Sequence, residues 1–122
     1  MKQNQVIRAY NAMKKLANQE LPIKISCKIH RLMVSIRPAW DFQLNEEEKI
    51  LRRLNPQTME NGVLQFNSPE DAKEFRDKLD EIGSMDADDM DLHPIQIPIP
   101  DGAVISANDL EALEGFVDFV EE

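Results

Sequence analysis

The sequence predicts a single helix-dominated α+β domain over residues 1–122, with an N-terminal helical hairpin and a small two-stranded antiparallel sheet covered by helices. Three observations predict this class. Apolar residues recur at helical spacing through most of residues 4–54. Between residues 58 and 122, two short strand-like segments alternate with two capped helical segments. The chain has 122 residues, 42% of them apolar, which suits one packed core and is too short for two ordinary domains.

The N-terminal half contains the predicted hairpin. Six apolar residues spaced three to four apart make residues 4–18 the first helix. The stretch LPIKISCKIHRLMVSI fits both an alternating strand and a helix, and the helical pattern is the longer, so we expect a second helix from Pro22. Pro38 lacks an N–H group and its ring clashes with the preceding turn, so it kinks or ends that helix. The helical pattern resumes beyond Pro38 and continues to Leu54.

The middle of the chain contains a predicted turn, a short strand and the best-marked helix. NPQTMENG is rich in turn-forming residues, and its Asn61–Gly62 pair accepts positive φ angles. The VLQF that follows, residues 63–66, is expected to be a strand. Ser68 then begins a helix over residues 69–82, because a serine followed three residues later by an acid is a capping pattern.

The C-terminal part adds a predicted strand and a final helix. Apolar residues alternate over residues 92–99, but two prolines in this segment cannot donate to a ladder, so the strand should lie at a sheet edge. We expect it to pair antiparallel with residues 63–66. Ser106 caps a final acidic helix over residues 107–120, whose apolar stripe would face the core. The basic N-terminal hairpin is its expected partner inside the chain.

Charge is divided unevenly along the chain, whose formal net charge is −9. Residues 1–40 carry eight Lys or Arg and one acid, whereas residues 41–122 carry six Lys or Arg and 22 acids. The favoured interpretation is that the two halves pack together and partly neutralise each other. The alternative is that a basic or an acidic face is offered to a partner.

The composition predicts a cytosolic protein with no membrane span. No apolar run approaches the roughly 18 residues needed to cross a bilayer. The first ten residues, MKQNQVIRAY, lack the apolar core of a signal peptide. Cys27 is the only cysteine, so no disulfide can form within the chain.

Two blocks of sequence carry a resemblance to a known family. In the first, IRAYNAMKKLANQELPIKISCKIHRL, a LANQ-x-LPIK junction joins two helices, and the second runs from DLHPIQIPI to ISANDLEALEGF. Together they resemble a family of small proteins of unknown function from phages and prophages of Gram-positive bacteria. The resemblance covers most of the chain outside residues 55–87. It implies a phage or prophage origin and an alpha-rich fold, and it supplies no catalytic residue.

The acidic loop SMDADDMD is the candidate for a metal site. Its carboxylates, Asp86, Asp88, Asp89 and Asp91, are of the kind that Ca²⁺ and Mg²⁺ prefer. The loop lacks the glycine and the distal glutamate of an EF-hand. The favoured interpretation is therefore a solvated acidic loop, and binding of a divalent ion stays open.

The sequence contains no catalytic set. Cys27 and His30 are three residues apart on the predicted second helix, but a catalytic pair also needs an orienting group and a pocket. No spacing joins His30 to His93, and the four glycines are too scattered to form a phosphate-binding loop. We therefore predict no enzymatic activity, no cofactor and no resident metal.

The candidate interaction residues are charged positions and the single tryptophan. Lys24, Lys28 and Arg31 fall near one face of the second helix, where they could contact an acidic partner or a phosphate backbone. Trp40 would anchor an interface if exposed, whereas the favoured interpretation buries it and lets it seal the hairpin. The acidic candidates are Asp86, Asp88, Asp89, Asp91, Glu111, Glu114 and Asp118.

Together these features predict a non-enzymatic phage or prophage accessory protein that binds another protein, either in the virion or as a modulator of a host protein. The alternative is an acidic mimic of nucleic acid that inhibits a host enzyme acting on DNA or RNA, or a defence enzyme. Direct nucleic-acid binding is not favoured, because a net charge of −9 repels phosphate. A homodimer through an exposed helix face is equally compatible with the sequence.

Overall fold

The computed structural model describes residues 1–87 and 92–121. The fold is a helix-dominated α+β domain with an N-terminal helical hairpin, as the sequence predicts. The elements follow in the order α1 (Gln3–Ala17), α2 (Ile23–Leu54), β1 (Gln57–Thr58), β2 (Leu64–Gln65), α3 (Pro69–Gly83), β3 (Ile95–Pro98), α4 (Ala107–Ala112) and β4 (Val117–Val120).

The hairpin of α1 and α2 is the largest part of the fold, and both predicted helices are confirmed. Helix α2 has 32 residues and continues through Pro38, so the proline does not end it. The missing N–H removes one backbone hydrogen bond, while tertiary contacts hold the helix on both sides. Ile36 is fully buried, and the Gln3 side chain donates from Nε2 to the backbone oxygen of Ala39 at 2.7 Å. The helix ends at Leu54, and the next residue, Asn55, adopts a left-handed conformation.

The main core lies between α1, the first half of α2, β3 and the chain that follows α4. Each fully buried Leu, Ile or Phe side chain contributes about 1.5–3 kcal/mol through removal of apolar surface from water. The buried members are Val6, Ala9, Tyr10, Ala12, Met13, Leu16, Ile25, Ile29, Leu32, Ile36, Ala87, Ile97, Leu113, Phe116 and Val117.

A second, smaller cluster joins the last turns of α2 to α3. Ile50, Leu54 and Ile82 are buried there, and the half-buried Phe66 and Phe75 pack against them with ring centroids 5.3 Å apart. The predicted helix over 69–82 is confirmed, with the Ser68 hydroxyl accepting from the Asp71 N–H at 3.1 Å.

The first sheet differs from the predicted one. Strand β1 lies in a segment predicted as a turn, and it pairs antiparallel with β2 in the register Gln57↔Gln65 and Thr58↔Leu64. The predicted strand over 63–66 therefore exists only at Leu64–Gln65, and its predicted pairing with residues 92–99 is wrong. A local hairpin closed by Gly62, with φ 82°, supplies the nearer partner and needs less loop closure.

The C-terminal helix predicted over 107–120 is also wrong beyond its first turns. Helix α4 ends at Ala112, and β4 pairs parallel with β3 in a register that runs from Ile95↔Val117 to Pro98↔Val120. Gly115 adopts a left-handed conformation, with φ 82°, and turns the chain out of the helix. The predicted strand over 92–99 is confirmed at Ile95–Pro98, but its partner is β4.

Candidate interaction surface

The first half of α2 has one face in the core and the opposite face in solvent. Ile25, Ile29, Leu32 and Ile36 recur at spacings of three to four and point into the main core. The residues on the far side of the same turns are exposed. We define the outer face of α2 by these exposed residues: Ile23, Lys24, Cys27, His30, Arg31, Val34 and Arg37.

Apolar side chains stand in the centre of the outer face of α2. Ile23 is 80% exposed and Val34 is 46% exposed, with Cys27 exposed on the helical line between them. A single exposed apolar residue is ordinary on a protein surface. The three lie on one helical line, with His30 between Cys27 and Val34 and with Lys24 and Arg31 beside them, and they form an interrupted apolar strip with a basic border.

The cations of the outer face of α2 have no ionic partner within the described part of the chain. Lys24, Arg31 and Arg37 form no salt bridge there, and no acid occurs between residues 21 and 40. Many of the cations elsewhere are paired. They form the pairs Lys2–Asp86, Lys15–Asp109, Lys49–Glu46, Arg52–Glu48, Arg53–Glu74 and Lys78–Glu81.

The three predicted basic residues divide between two places. Lys24 and Arg31 belong to the outer face of α2, as their spacing predicts. Lys28 is exposed at the edge of that face, and its Nζ donates to the backbone oxygen of Gln96 in β3 at 2.9 Å. Lys28 therefore ties α2 to the second sheet, which sequence spacing did not indicate.

Trp40 belongs to the hairpin. It is half-buried against the main core, and its ring stacks on Tyr10 with centroids 4.6 Å apart. Lys14 Nζ lies 5.0 Å from the centre of the indole, within the range of a cation–π contact. This placement agrees with the interpretation that Trp40 seals the contact between α1 and α2.

The acidic loop falls largely outside the described residues. Asp88, Asp89 and Asp91 lie there, so their predicted role in an interaction has no structural description. Asp86 is exposed and pairs with Lys2 at 2.8 Å, and this hydrogen bond, with the charge of Lys2, holds the pKa of Asp86 below its ordinary value. Among residues 1–87 and 92–121, no group of three or more His, Cys, Asp or Glu side chains is placed to hold a metal ion.

The predicted C-terminal acids Glu111 and Glu114 are exposed, and the segment that carries them packs on α1. Lys15 pairs with Asp109 at 3.5 Å, and the Gln19 side chain accepts from the Val104 N–H at 2.8 Å. Glu111 and Glu114 line a cleft of about 220 Å³ that Arg8 also lines. These contacts confirm that the basic hairpin and the acidic segment pack together.

Asp118 has a different position from the one predicted. It lies on β4 rather than on a helix, and its side chain is exposed. Sequence reasoning also missed Ile23, Val34 and Arg37. The sequence did contain a signal for Ile23 and Val34, since an apolar residue placed opposite the buried stripe of a helix must face solvent.

Cys27 and His30 share the outer face of α2, where both side chains are exposed. In the described part of the chain, no helix has both the length and the apolar run needed to cross a lipid bilayer.

No protein-family model, curated protein or solved structure matches this chain. The relation to phage proteins stays a prediction from the sequence.

Proposed function

We propose that this protein works by binding, without catalysis, and that it recognises an acidic protein surface through the outer face of α2. In the phage or prophage setting that the sequence resemblance implies, it would be an accessory protein, acting in the virion or on a host protein. The observation that carries the proposal is the strip of exposed apolar side chains bordered by cations that have no partner in the described chain.

The charge of this face favours an acidic partner. Exposed charges steer association and set specificity through complementary potentials, more than they add affinity. The chain after residue 40 is acidic, because it carries 22 acids and only six Lys or Arg. A partner with an acidic patch would therefore approach the basic end of the molecule and be repelled from the other end.

The apolar strip favours a protein over a nucleic acid. A phosphate backbone is bound by charge and offers no apolar surface to Ile23 or Val34. Protein interfaces combine an apolar centre with a polar rim, which is the arrangement on the outer face of α2. The opposite side of α2 packs into the main core, so the helix is already ordered before it binds. Binding therefore costs little conformational entropy.

The proposal is tested by affinity capture of the tagged protein from nuclease-treated host and infected-cell lysates, followed by binding measurements with the purified partner. The variant Lys24→Glu with Arg31→Glu reverses two exposed cations that form no hydrogen bond or ion pair within residues 1–87 and 92–121. We expect at least about tenfold weaker binding, and wild-type binding that weakens as salt rises.

A control variant reverses two cations elsewhere. Lys73→Glu with Arg76→Glu makes the same charge change at exposed positions on α3, and we expect it to bind as the wild type does. Equal losses in both variants would show that overall charge, and not the outer face of α2, controls binding. A partner that binds DNA or RNA and competes with it through the Glu111 and Glu114 region would favour the mimic alternative.

A further inference from the structure

The two outer edges of the β3–β4 sheet differ. Ile95 N donates to Phe116 O at 3.0 Å and Ile99 N donates to Val120 O at 3.3 Å. In a parallel sheet, alternate residues of a strand direct their N–H and C=O groups at the adjacent strand. Phe116 and Val120 accept these two hydrogen bonds, so Asp118, midway between them, also directs its backbone groups at β3. Val117 and Phe119 direct theirs away from it.

The outer edge of β3 is closed. Its outward groups belong to Gln96 and Pro98. The Gln96 oxygen accepts from Lys28 Nζ at 2.9 Å, and Pro98 has no N–H to offer. A lysine and a proline at a sheet edge are recognised ways in which proteins prevent another strand from adding there.

The outer edge of β4 is open. The Val117 N–H is taken by Leu113 O at 2.9 Å within the preceding turn. The N–H of Phe119 and the carbonyls of Val117 and Phe119 have no hydrogen-bond partner in the described chain. Among the described helices and strands, β4 contacts β3 alone, so no element covers this edge.

We propose that the outer edge of β4 accepts an extended, basic segment of another protein as a third strand. Backbone groups at an open edge supply the hydrogen bonds of strand addition, and neighbouring side chains supply the specificity. Exposed acids lie on β4 or within three residues of its ends, at Glu114, Asp118 and Glu121, and no Lys or Arg occurs after residue 78.

The side-chain pattern of β4 defines the segment further. Val117 and Phe119 face the main core, whereas Asp118 is exposed on the opposite side of the strand. An added strand with apolar residues beside Phe119 and Lys or Arg beside Asp118 would continue both surfaces. A second copy of this chain is disfavoured, because pairing β4 with itself brings the acids of both copies together.

This proposal is independent of the outer face of α2, which carries the opposite charge. The test uses the full chain and a fluorescent eight-residue peptide of alternating Lys and Val, blocked at both ends. We expect it to bind, and we expect hydrogen exchange at the Phe119 amide to slow when it does. Lys24→Glu with Arg31→Glu, which tests the proposed function, should leave peptide binding unchanged.

Two comparisons separate strand addition from simple charge attraction. A peptide with the same side chains but with alternate amides N-methylated cannot complete the ladder, and we expect at least about tenfold weaker binding. Asp118→Lys should weaken binding of the original peptide, whereas Asp77→Lys makes the same charge change on α3 and should not.

Several results would overturn the proposal. One is equal binding of the two peptides, which would mean adhesion by charge alone. Others are failure of the Lys–Val peptide to bind at millimolar concentration, or unchanged exchange at the Phe119 amide. Protection of that amide without peptide, in step with dimer formation in sedimentation, would assign the edge to a second copy instead.

Discussion

The two hydrophobic clusters differ in how many elements build them. Five elements, α1, α2, β3, α4 and β4, contribute to or adjoin the main core, where most of the large side chains are fully buried. The second cluster depends on two helices, and its three buried residues keep 7 to 8% of their surface exposed. Stability should therefore be concentrated at the N-terminal half of α2, the part that carries the proposed binding face.

The largest effect is expected in the main core. Ile29→Ala removes three carbons from a side chain that is 1% exposed, among neighbours from several elements that cannot all collapse into the space. We expect a loss of about 4 kcal/mol in the free energy of unfolding, in the upper part of the range for such cavities. Urea denaturation followed by circular dichroism measures it.

The same substitution in the second cluster should cost less. Ile82 is 7% exposed on α3, and Ile82→Ala should lose about 2 kcal/mol because water and flexible neighbours relieve the cavity. Native-state hydrogen exchange should show the amides of α3 opening before those of α1. Equal losses for Ile29→Ala and Ile82→Ala would mean that the two clusters unfold as one equally packed core.

A third substitution tests the boundary between the clusters. Gln43 is buried on α2 between Ile36 and Ile50. Its Nε2 donates to Glu47, while its Oε1 has no hydrogen-bond partner among the residues that the structure describes. Gln43→Leu removes that unsatisfied acceptor, so we expect the free energy of unfolding to rise by about 1 kcal/mol. We also expect the two clusters to unfold in one steeper urea transition. A destabilised variant would show that the Gln43 amide has a partner in solution, such as a bound water.

The smallest effect concerns an exposed ion pair beside the second cluster. A hydrogen bond from Arg53 holds the pKa of Glu74 below its ordinary value. A lowered pKa in the folded state contributes stability above the unfolded pKa, and this contribution is lost as pH falls through the folded pKa. An NMR titration of the Glu74 carboxyl carbon should give a higher pKa in Arg53→Gln than in the wild type. Identical titration curves would show that the Arg53–Glu74 pair does not form in solution.

Helices α1 and α3 could be predicted because their signals are local. The apolar stripe of α1 and the Ser68 cap of α3 involve residues three to four apart, which a helix brings together whatever the remaining chain does. The same reasoning located Lys24 and Arg31 on one surface of α2. It could also have found Ile23 and Val34, since their exposure follows from the buried stripe at Ile25 and Ile29.

The C-terminal segment shows where local signals fail. Leu113, Phe116 and Val117 fit a helical stripe, yet the helix ends at Ala112. Gly115 then adopts a left-handed conformation, and Val117–Val120 forms a strand. A short helix is marginal by itself, and the ladder with β3 supplies backbone hydrogen bonds that the sequence near Val117 does not reveal. The one local clue was the glycine just beyond the last turn of α4.

The sequence by itself determined the helical hairpin, the division of charge and the chemistry of the outer face of α2, because each depends on neighbours along one helix or on composition. Only the tertiary structure decided which cations are neutralised, where Trp40 and Lys28 make their contacts, and that β4 leaves an open edge. Those features depend on partners far apart in the chain, such as Lys15 with Asp109 and Lys28 with Gln96. Packing of the whole core brings such partners together, and no local pattern records it.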